Sequence, residues 1–324
     1  MKKFNTEINK IISLVCIQDY AGICYNLCEA VNRFTNWKIY HIIKRQHRFK
    51  YNSGIDINEK DNVQKIFNKS DVIISQSCFD WNVKKLILPY PEELNNFKID
   101  KNTKLGLWHG GSVYRQNYDF WNKEIHPKCD YIFAHRDLEG LDNRIKRLQA
   151  TIDVDKYFCD NKNYKDIFIG SSPSTRKDHG TEFFIDAIKQ LNKCNTEYNL
   201  ELIENIPNEE CMNRKKKINL FFGEIGDYEI PKGATRGYGV SIIEAAAFNS
   251  VCIDWSNYKD TPIISVKNTK EILNSMLYFL NNKDEIQPLS EETRKWVINE
   301  HGYRNVANKF ISDIEETINE GVVR

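Results

Sequence analysis

The chain has 324 residues, more than one core ordinarily uses, which points to two domains of usual size. Its net charge of +1 supplies no uniform field of the kind that draws a protein to nucleic acid, so no nucleic-acid partner is expected. Nine cysteines without framework spacing read as reduced thiols of a cytoplasmic protein, and no apolar run approaches the roughly 20 residues of a membrane span.

The opening stretch Met1 to Glu7 is too polar for a signal peptide. Beyond it, short apolar runs alternate with longer helical patterns, the signature of parallel βα units. Strands are expected at Ile11 to Ile17, Ile39 to Ile43, Asp71 to Ile74, Lys104 to Trp108 and Tyr131 to Phe133 in the first half. In the second half they are expected at Ile167 to Ile169, Leu200 to Ile203, Ile218 to Phe222, Val251 to Ile253 and Ile263 to Val266. The polar stretch Cys159 to Lys165 reads as the linker between two doubly wound sheets. Ser290 to Val322 reads as helix, opened by Ser290 and Glu291.

Ligands of open parallel sheets bind outside the C-terminal strand ends, so candidate residues should follow strands. The first strand runs into Gln18 to Ile23, where Gly22 either lets a ligand approach the helix start or serves the turn alone. No G-x-G-x-x-G occupies this turn, which argues against a dehydrogenase. Cys24 and Cys28 share a helix face and, with no matching pair nearby, read as packing rather than metal ligands. The basic, aromatic stretch Lys44 to Tyr51 is either a solvated loop or a surface for an anionic glycan, a lipid-linked phosphate or an acidic membrane.

After the fourth strand, His109 stands beside Gly110 and Gly111, either as a group that exchanges protons with a hydroxyl or as a structural histidine. The loop Gly170 to Glu182 collects Arg176, Lys177 and His179 before a helix, a composition suited to a departing diphosphate. The run Gly237 to Ala247 reads as a glycine loop and a helix start, where unpaired N–H groups and the helix dipole attract phosphate. Ser241 and Glu244 equally satisfy the spacing of a capping box.

The order Pro173-Ser174-x-Arg176-x-x-x-Gly180-Thr181-Glu182, then Leu200 to Glu210, then Gly237 to Ala247 resembles the donor-binding half of retaining glycosyltransferases of family four, in particular bacterial surface-polysaccharide members. Asp19 to Ile23, the His109-Gly110 turn and Thr151 to Phe158 are loosely compatible with the other half. The resemblance implies an α/β GT-B fold, two Rossmann-like domains facing across a cleft. Residues 1–158 would bind the acceptor, with a C-terminal helix 303–324 packing back on them, and 159–302 the donor. It implies transfer of a hexose from a nucleotide-diphosphate sugar to a glycan or lipid-linked hydroxyl, with retention, in polysaccharide biosynthesis. Peripheral contact with the inner face of a membrane fits such an acceptor.

By the same resemblance Arg176 and Lys177 neutralise the diphosphate, and Glu244 holds the ribose. Gly239, Val240 and Ser241 meet phosphate or sugar, Tyr238 and Gly22 belong to the donor site, and Ile206 lies near the nucleobase. His109 contacts the sugar or acceptor. Cations and helix dipoles do the work of a metal, so neither metal nor another cofactor is expected. Two positions depart from the family pattern: His179 stands where a lysine is usual, and Arg236 where a first glutamate is usual. They motivate two rival readings, a non-catalytic nucleotide-sugar binding or assembly subunit and a GT-B sugar epimerase.

Overall fold

The computed structural model describes residues 10–76, 79–80, 85–86, 96–226 and 229–321, so the polar opening stretch and residues 322–324 of the expected terminal helix lie outside the described residues. Runs such as Leu14-Val15-Cys16-Ile17 and Val251-Cys252-Ile253 have no polar alternation and hence no face for water, and they form strands buried along their length. The chain divides into two compact units. Unit 1 is Met1–Thr151, Pro231–Ala234 and Tyr303–Arg324; unit 2 is Ile152–Ile230 and Thr235–Gly302.

Unit 1 carries strands β1 (Ile11–Gln18), β2 (Lys38–Arg45), β3 (Ile55–Asp56) and β4 (Val72–Gln76), a short antiparallel pair β5 (Phe79–Asp80) and β6 (Lys85–Leu86), then β7 (Lys104–His109), β8 (Tyr131–Ala134) and β9 (Lys146–Arg147). Its seven-stranded sheet has the order β3-β2-β1-β4-β7-β8-β9, all parallel, with Ile12 paired to Ile39 on one side and to Val72 on the other. Helices α1 (Ile23–Phe34), α2 (Lys60–Phe67) and α3 (Ser112–Phe120) follow β1, β3 and β7.

Unit 2 carries β10 (Phe168–Ser171), α4 (Thr181–Leu191), β11 (Asn199–Leu202), α5 (Asn208–Lys215), β12 (Leu220–Phe222), α6 (Val240–Ala247), β13 (Val251–Asp254), β14 (Ile264–Ser265), α7 (Thr269–Asn281) and α8 (Ile286–His301). Its sheet has the order β11-β10-β12-β13-β14, again all parallel. Ile169, Leu220, Phe222 and Ile253 pack from the sheet against Phe184 of α4 and Met276 of α7, with the Phe184 and Phe222 rings stacked at 5.1 Å.

Two expectations need correction. The stretch 159–165 is not a free linker: Lys162 Nζ donates to Phe248 O at 2.7 Å and Ser250 Oγ at 3.0 Å, and the Tyr164 hydroxyl bonds Ser290 Oγ at 2.8 Å. These contacts commit it to unit 2, and the crossing falls after Thr151 rather than at 158. The expected helix 290–322 is two helices, because Gly302 is extended and forms a parallel bridge with Ile152. Ser290 lies inside α8, where its hydroxyl back-bonds Gln287 O, so it opens no helix.

The second of the two, α9 (Tyr303–Gly321), belongs to unit 1 and packs on α1. Phe310 is 1% exposed with its ring 5.2 Å from Phe133 of β8, and Trp37 Nε1 donates to Glu315 Oε1 at 3.1 Å. Among the described residues no helix is long and apolar enough to cross a membrane. If α9 is integral to unit 1, Phe310→Ala should cost about 3–5 kcal/mol by chemical denaturation. A loss below about 1 kcal/mol would show that α9 is an appendage.

Candidate functional site

The chain leaves β10 toward β11 and leaves β12 toward β13 on the other side, so the C-terminal ends of β10 and β12 flank the switch point of the unit 2 sheet. Loops diverge there and open a crevice. Two of them meet through one side chain: His179 Nδ1 bonds Glu224 Oε2 at 2.7 Å, and His179 Nε2 bonds Ser174 Oγ at 2.8 Å. The backbone repeats the connection, with Ile225 N donating to His179 O at 3.1 Å. Gly180 makes this approach feasible, since its φ is +57° and a Cβ there would lie 2.0 Å from Ile225 O.

The glycine loop joins the same place. A Cβ built on Gly239 would stand 3.8 Å from Glu224 Oε2 and 3.5 Å from Ser241 Oγ, so the start of α6 abuts the His179–Glu224 pair. Gly239 is the N-cap of α6 and no side chain caps it, so the first N–H groups of the helix are offered to a ligand or water. Tyr238, Gly239, Val240 and Ser241 are half-buried. Tyr238 itself turns to an aromatic group, its hydroxyl 2.9 Å from His301 Nε2 and its ring against Trp296 and Tyr258.

Arg176 and Lys177 are both exposed. The Arg176 guanidinium forks onto Glu204, with Nε and Nη2 at 2.8 and 2.7 Å from its two carboxylate oxygens, and lies 3.6 Å from Glu182. Glu204 raises the arginine pKa above its ordinary value. Exposed pairs of this kind are screened and exchange easily, so an incoming anion would compete with Glu204 for the guanidinium. Ile206 is half-buried in the turn between β11 and α5, two residues beyond Glu204.

The capping box does not form: α6 begins at Val240, and Ser241 lies inside it. Glu244 Oε2 instead accepts a short hydrogen bond from Lys215 Nζ of α5, with side-chain exposures of 12% and 2%. Burial works against the Lys215 charge, but Glu244 outweighs it and raises the lysine pKa. Arg236 is also buried, its guanidinium 3.6 Å above the Trp255 ring and its Nε donating to Trp255 O at 3.1 Å. Burial and the Glu224 carboxylate push Asp254 well up against the pull of Arg236.

The two unit 1 candidates sit differently from expectation. Gly22 has φ +68° and caps α1, and the N–H groups of Cys24 and Tyr25 are taken by Asp19 at 3.0 and 2.9 Å. An anion at this helix start would face that carboxylate, so the turn is a poor phosphate site. His109 is fully buried, not open to a sugar or acceptor: its Nε2 lies 2.7 Å from His126 Nε2 and its ring stacks on Tyr114 at 4.0 Å. His126 Nδ1 continues the chain to Asp142 at 2.7 Å. In the basic aromatic stretch, His47 gathers Tyr20, Phe49 and Tyr51 around its ring at 5.2 to 5.6 Å.

Sequence reasoning missed Ser174, Glu224, Lys215 and Asp254. Glu224 and Asp254 follow or end apolar strand runs, the very rule that located the other candidates, whereas Lys215 pairs across helices and leaves no sequence signal. Asp153-Val154-Asp155, inside the stretch Thr151 to Phe158, has Asp-x-Asp spacing. Asp153 Oδ1 accepts from the N–H groups of Asp155 and Lys156 at 3.3 and 3.2 Å, closing a local turn.

Two predictions arise. Glu244→Gln or Lys215→Met alone should each cost about 3–5 kcal/mol in denaturant, because the survivor loses its charged partner in a buried place, and the two substitutions combined should recover much of it. Additive losses in that cycle would refute the coupling. The second concerns acid. Burial holds His41 down at about 4, and lowers His109, His126 and His135 despite nearby carboxylates, all within unit 1. An unfolded chain binds protons that these rings refuse, so stability is full above about pH 6.5 and falls toward pH 4. Asp19, raised to about 7 chiefly by burial, acts in the opposite sense but alone. Hydrogen exchange at about pH 5 should therefore deprotect unit 1 before unit 2, and simultaneous loss would contradict this.

No protein-family profile matches the chain, and no curated protein sequence does. Among solved structures, an alpha-glucosyltransferase bound to UDP-glucose and DNA containing an abasic site matches with a TM-score of 0.67 at 12% identity, over 95% of this chain and 99% of that one. HepE of Anabaena in complex with UDP-glucose matches with 0.63 at 8% identity, over 95% and 100%. A Listeria monocytogenes protein assigned as a UDP-N-acetylglucosamine 2-epimerase matches with 0.57 at 13% identity, over 97% of both chains. Two parallel α/β units and these likenesses establish the architecture: the chain has the GT-B fold.

Proposed function

We propose that the chain is a glycosyltransferase that passes a hexose from a nucleotide-diphosphate sugar to an acceptor hydroxyl with retention, unit 2 binding the donor and unit 1 the acceptor. The observation that carries this reading is the meeting of the basic loop and the α6 N-terminus at the unit 2 switch point through His179 and Glu224. An anion seated on the α6 N–H groups would have His179 beside it and Arg176 and Lys177 on the same loop. Cations placed there stabilise the charge that builds on a departing diphosphate. The matched structures that hold UDP-glucose support the same donor class.

His179 fills the role usual for lysine, with Glu224 and Ser174 orienting its ring. Arg176 changes partner from Glu204 to phosphate when donor arrives. Glu244, held by Lys215 through one oxygen, retains acceptor capacity for ribose hydroxyls. His109 acts through packing rather than contact. No metal is invoked, because helix N–H groups and three basic side chains can carry the leaving-group charge. A glycan or lipid-linked acceptor fits the resemblance to polysaccharide enzymes, at the cytoplasmic face of a membrane. The DNA bound by the alpha-glucosyltransferase adds nucleic acid to the acceptors worth testing, since net charge alone had argued against it.

The likeness to the epimerase favours isomerisation of a nucleotide sugar as the second reading. Incubation with a panel of nucleotide sugars and acceptors, read by nucleotide-diphosphate release and product mass, separates the two. Transferase activity releases nucleotide diphosphate with glycoside formation. Epimerase activity gives an isomerised sugar, and a binding subunit shows thermal stabilisation without turnover. Arg176→Ala and His179→Ala should each lower turnover by about 10²–10³, with His179→Lys restoring much of it. Should no nucleotide diphosphate or nucleotide sugar stabilise the protein, the donor site is wrongly assigned.

A further inference from the structure

Unit 1 contains a second constellation, buried and separate from the unit 2 groups discussed for the donor. Cys16 lies on β1, His41 on β2, Asp19 in the turn after β1, and Cys24 in the first turn of α1. Cys16 Sγ is 3.3 Å from His41 Nε2, and His41 Nε2 is 3.9 Å from Asp19 Oδ2. The ligand atoms of Cys16, Cys24 and His41 all lie within 4.8 Å of one another. Cys16, Cys24 and Asp19 are at most 1% exposed and His41 is 7% exposed.

A tetrahedral zinc-type ion holds sulfur at about 2.3 Å and nitrogen or oxygen at about 2.0–2.2 Å, which sets neighbouring ligand atoms roughly 3.3–3.8 Å apart. The 3.3 Å between Cys16 Sγ and His41 Nε2 falls within that range, whereas Asp19 Oδ2 at 3.9 Å from the same nitrogen lies outside it. Thiol sulfurs and an imidazole select a thiophilic ion over magnesium or calcium. Charge balance points the same way. A divalent cation and two thiolates cancel, and such a neutral set is tolerated in an apolar interior. A neutral imidazole supplies a ring-nitrogen lone pair to such an ion. Asp19, whose two oxygens accept from the N–H groups of Cys24 and Tyr25, stays outside the ligand set, since a third anion would leave the site charged.

We propose that Cys16, Cys24 and His41 bind one thiophilic divalent cation of the zinc type, which fastens the start of α1 to the sheet. Uptake releases both thiol protons to solvent, including the one that Cys24 now directs at Gln76 Oε1 3.2 Å away. The imidazole keeps its single proton on Nδ1. Cys28, one turn further along α1 and equally buried, is not a ligand.

The full chain, reduced and stripped by chelation, should be titrated with cobalt(II) as a spectroscopic probe and then with zinc. The expected result is one cobalt per chain, a thiolate-to-cobalt charge-transfer band, and displacement by zinc. Cys16→Ser and Cys24→Ser should each remove about half of the charge-transfer intensity and weaken binding by more than about tenfold, while Cys28→Ser leaves both unchanged. The proposal is overturned if the reduced wild-type chain takes up no stoichiometric cobalt. It is equally overturned if the band survives in both Cys16→Ser and Cys24→Ser. The wild-type titration decides the first outcome even if a variant fails to fold.

Discussion

The hydrogen bond between His179 and Glu224 ties together three segments that are distant in sequence and adjacent only because of the strand order of the unit 2 sheet. With β10 beside β12, the loop after one strand and the residue after the other are necessarily neighbours, and α6 begins against both. The position of the basic loop, the N-terminus of α4 and the uncapped start of α6 all depend on this meeting. A donor site here is a property of topology first and of side chains second.

The two units spend their polar groups differently. Unit 2 places ion pairs around the switch point, from the exposed Arg176–Glu204 fork to the buried Lys215–Glu244 contact between α5 and α6. Unit 1 adds a set of buried imidazoles to ion pairs such as Arg115–Asp137. Its His109–His126–Asp142 chain runs through the interior, where burial opposes the Asp142 charge but Arg144 and His126 hold its carboxyl well below the usual range. Such a chain is a rigid polar strut, and every atom of it must stay bonded to be tolerated.

The fold was largely legible because parallel strands buried on both faces must be continuously apolar: all ten expected strands exist, with ends shifted by one or two residues. The short strands β3, β5, β6 and β9 carry too few residues to show a period. The break at Gly302 escaped notice because α8 and α9 share one charge pattern, and only a bridge to Ile152 separates them. In the site, glycine and cationic loops could be read directly. Burial could not: His109 and Arg236 lie at strand ends or in loops, which sequence reads as open, while rings packed above them close those places. Cys24 illustrates the same limit, since its neighbours Cys16 and His41 come from two strands that no local spacing connects.

Helix α9 has a consequence for how the protein is made. It is the final described element, yet its Phe310, Ile311 and Ile314 complete the core laid down by β1 to β8, while all of unit 2 intervenes. On the ribosome, unit 1 therefore emerges first and must wait, with an apolar face of α1 uncovered, until the last helix has been synthesised. Unit 2, whose sheet and helices are complete once α8 is out, is the one that can close earlier, so the order of completion reverses the order of translation.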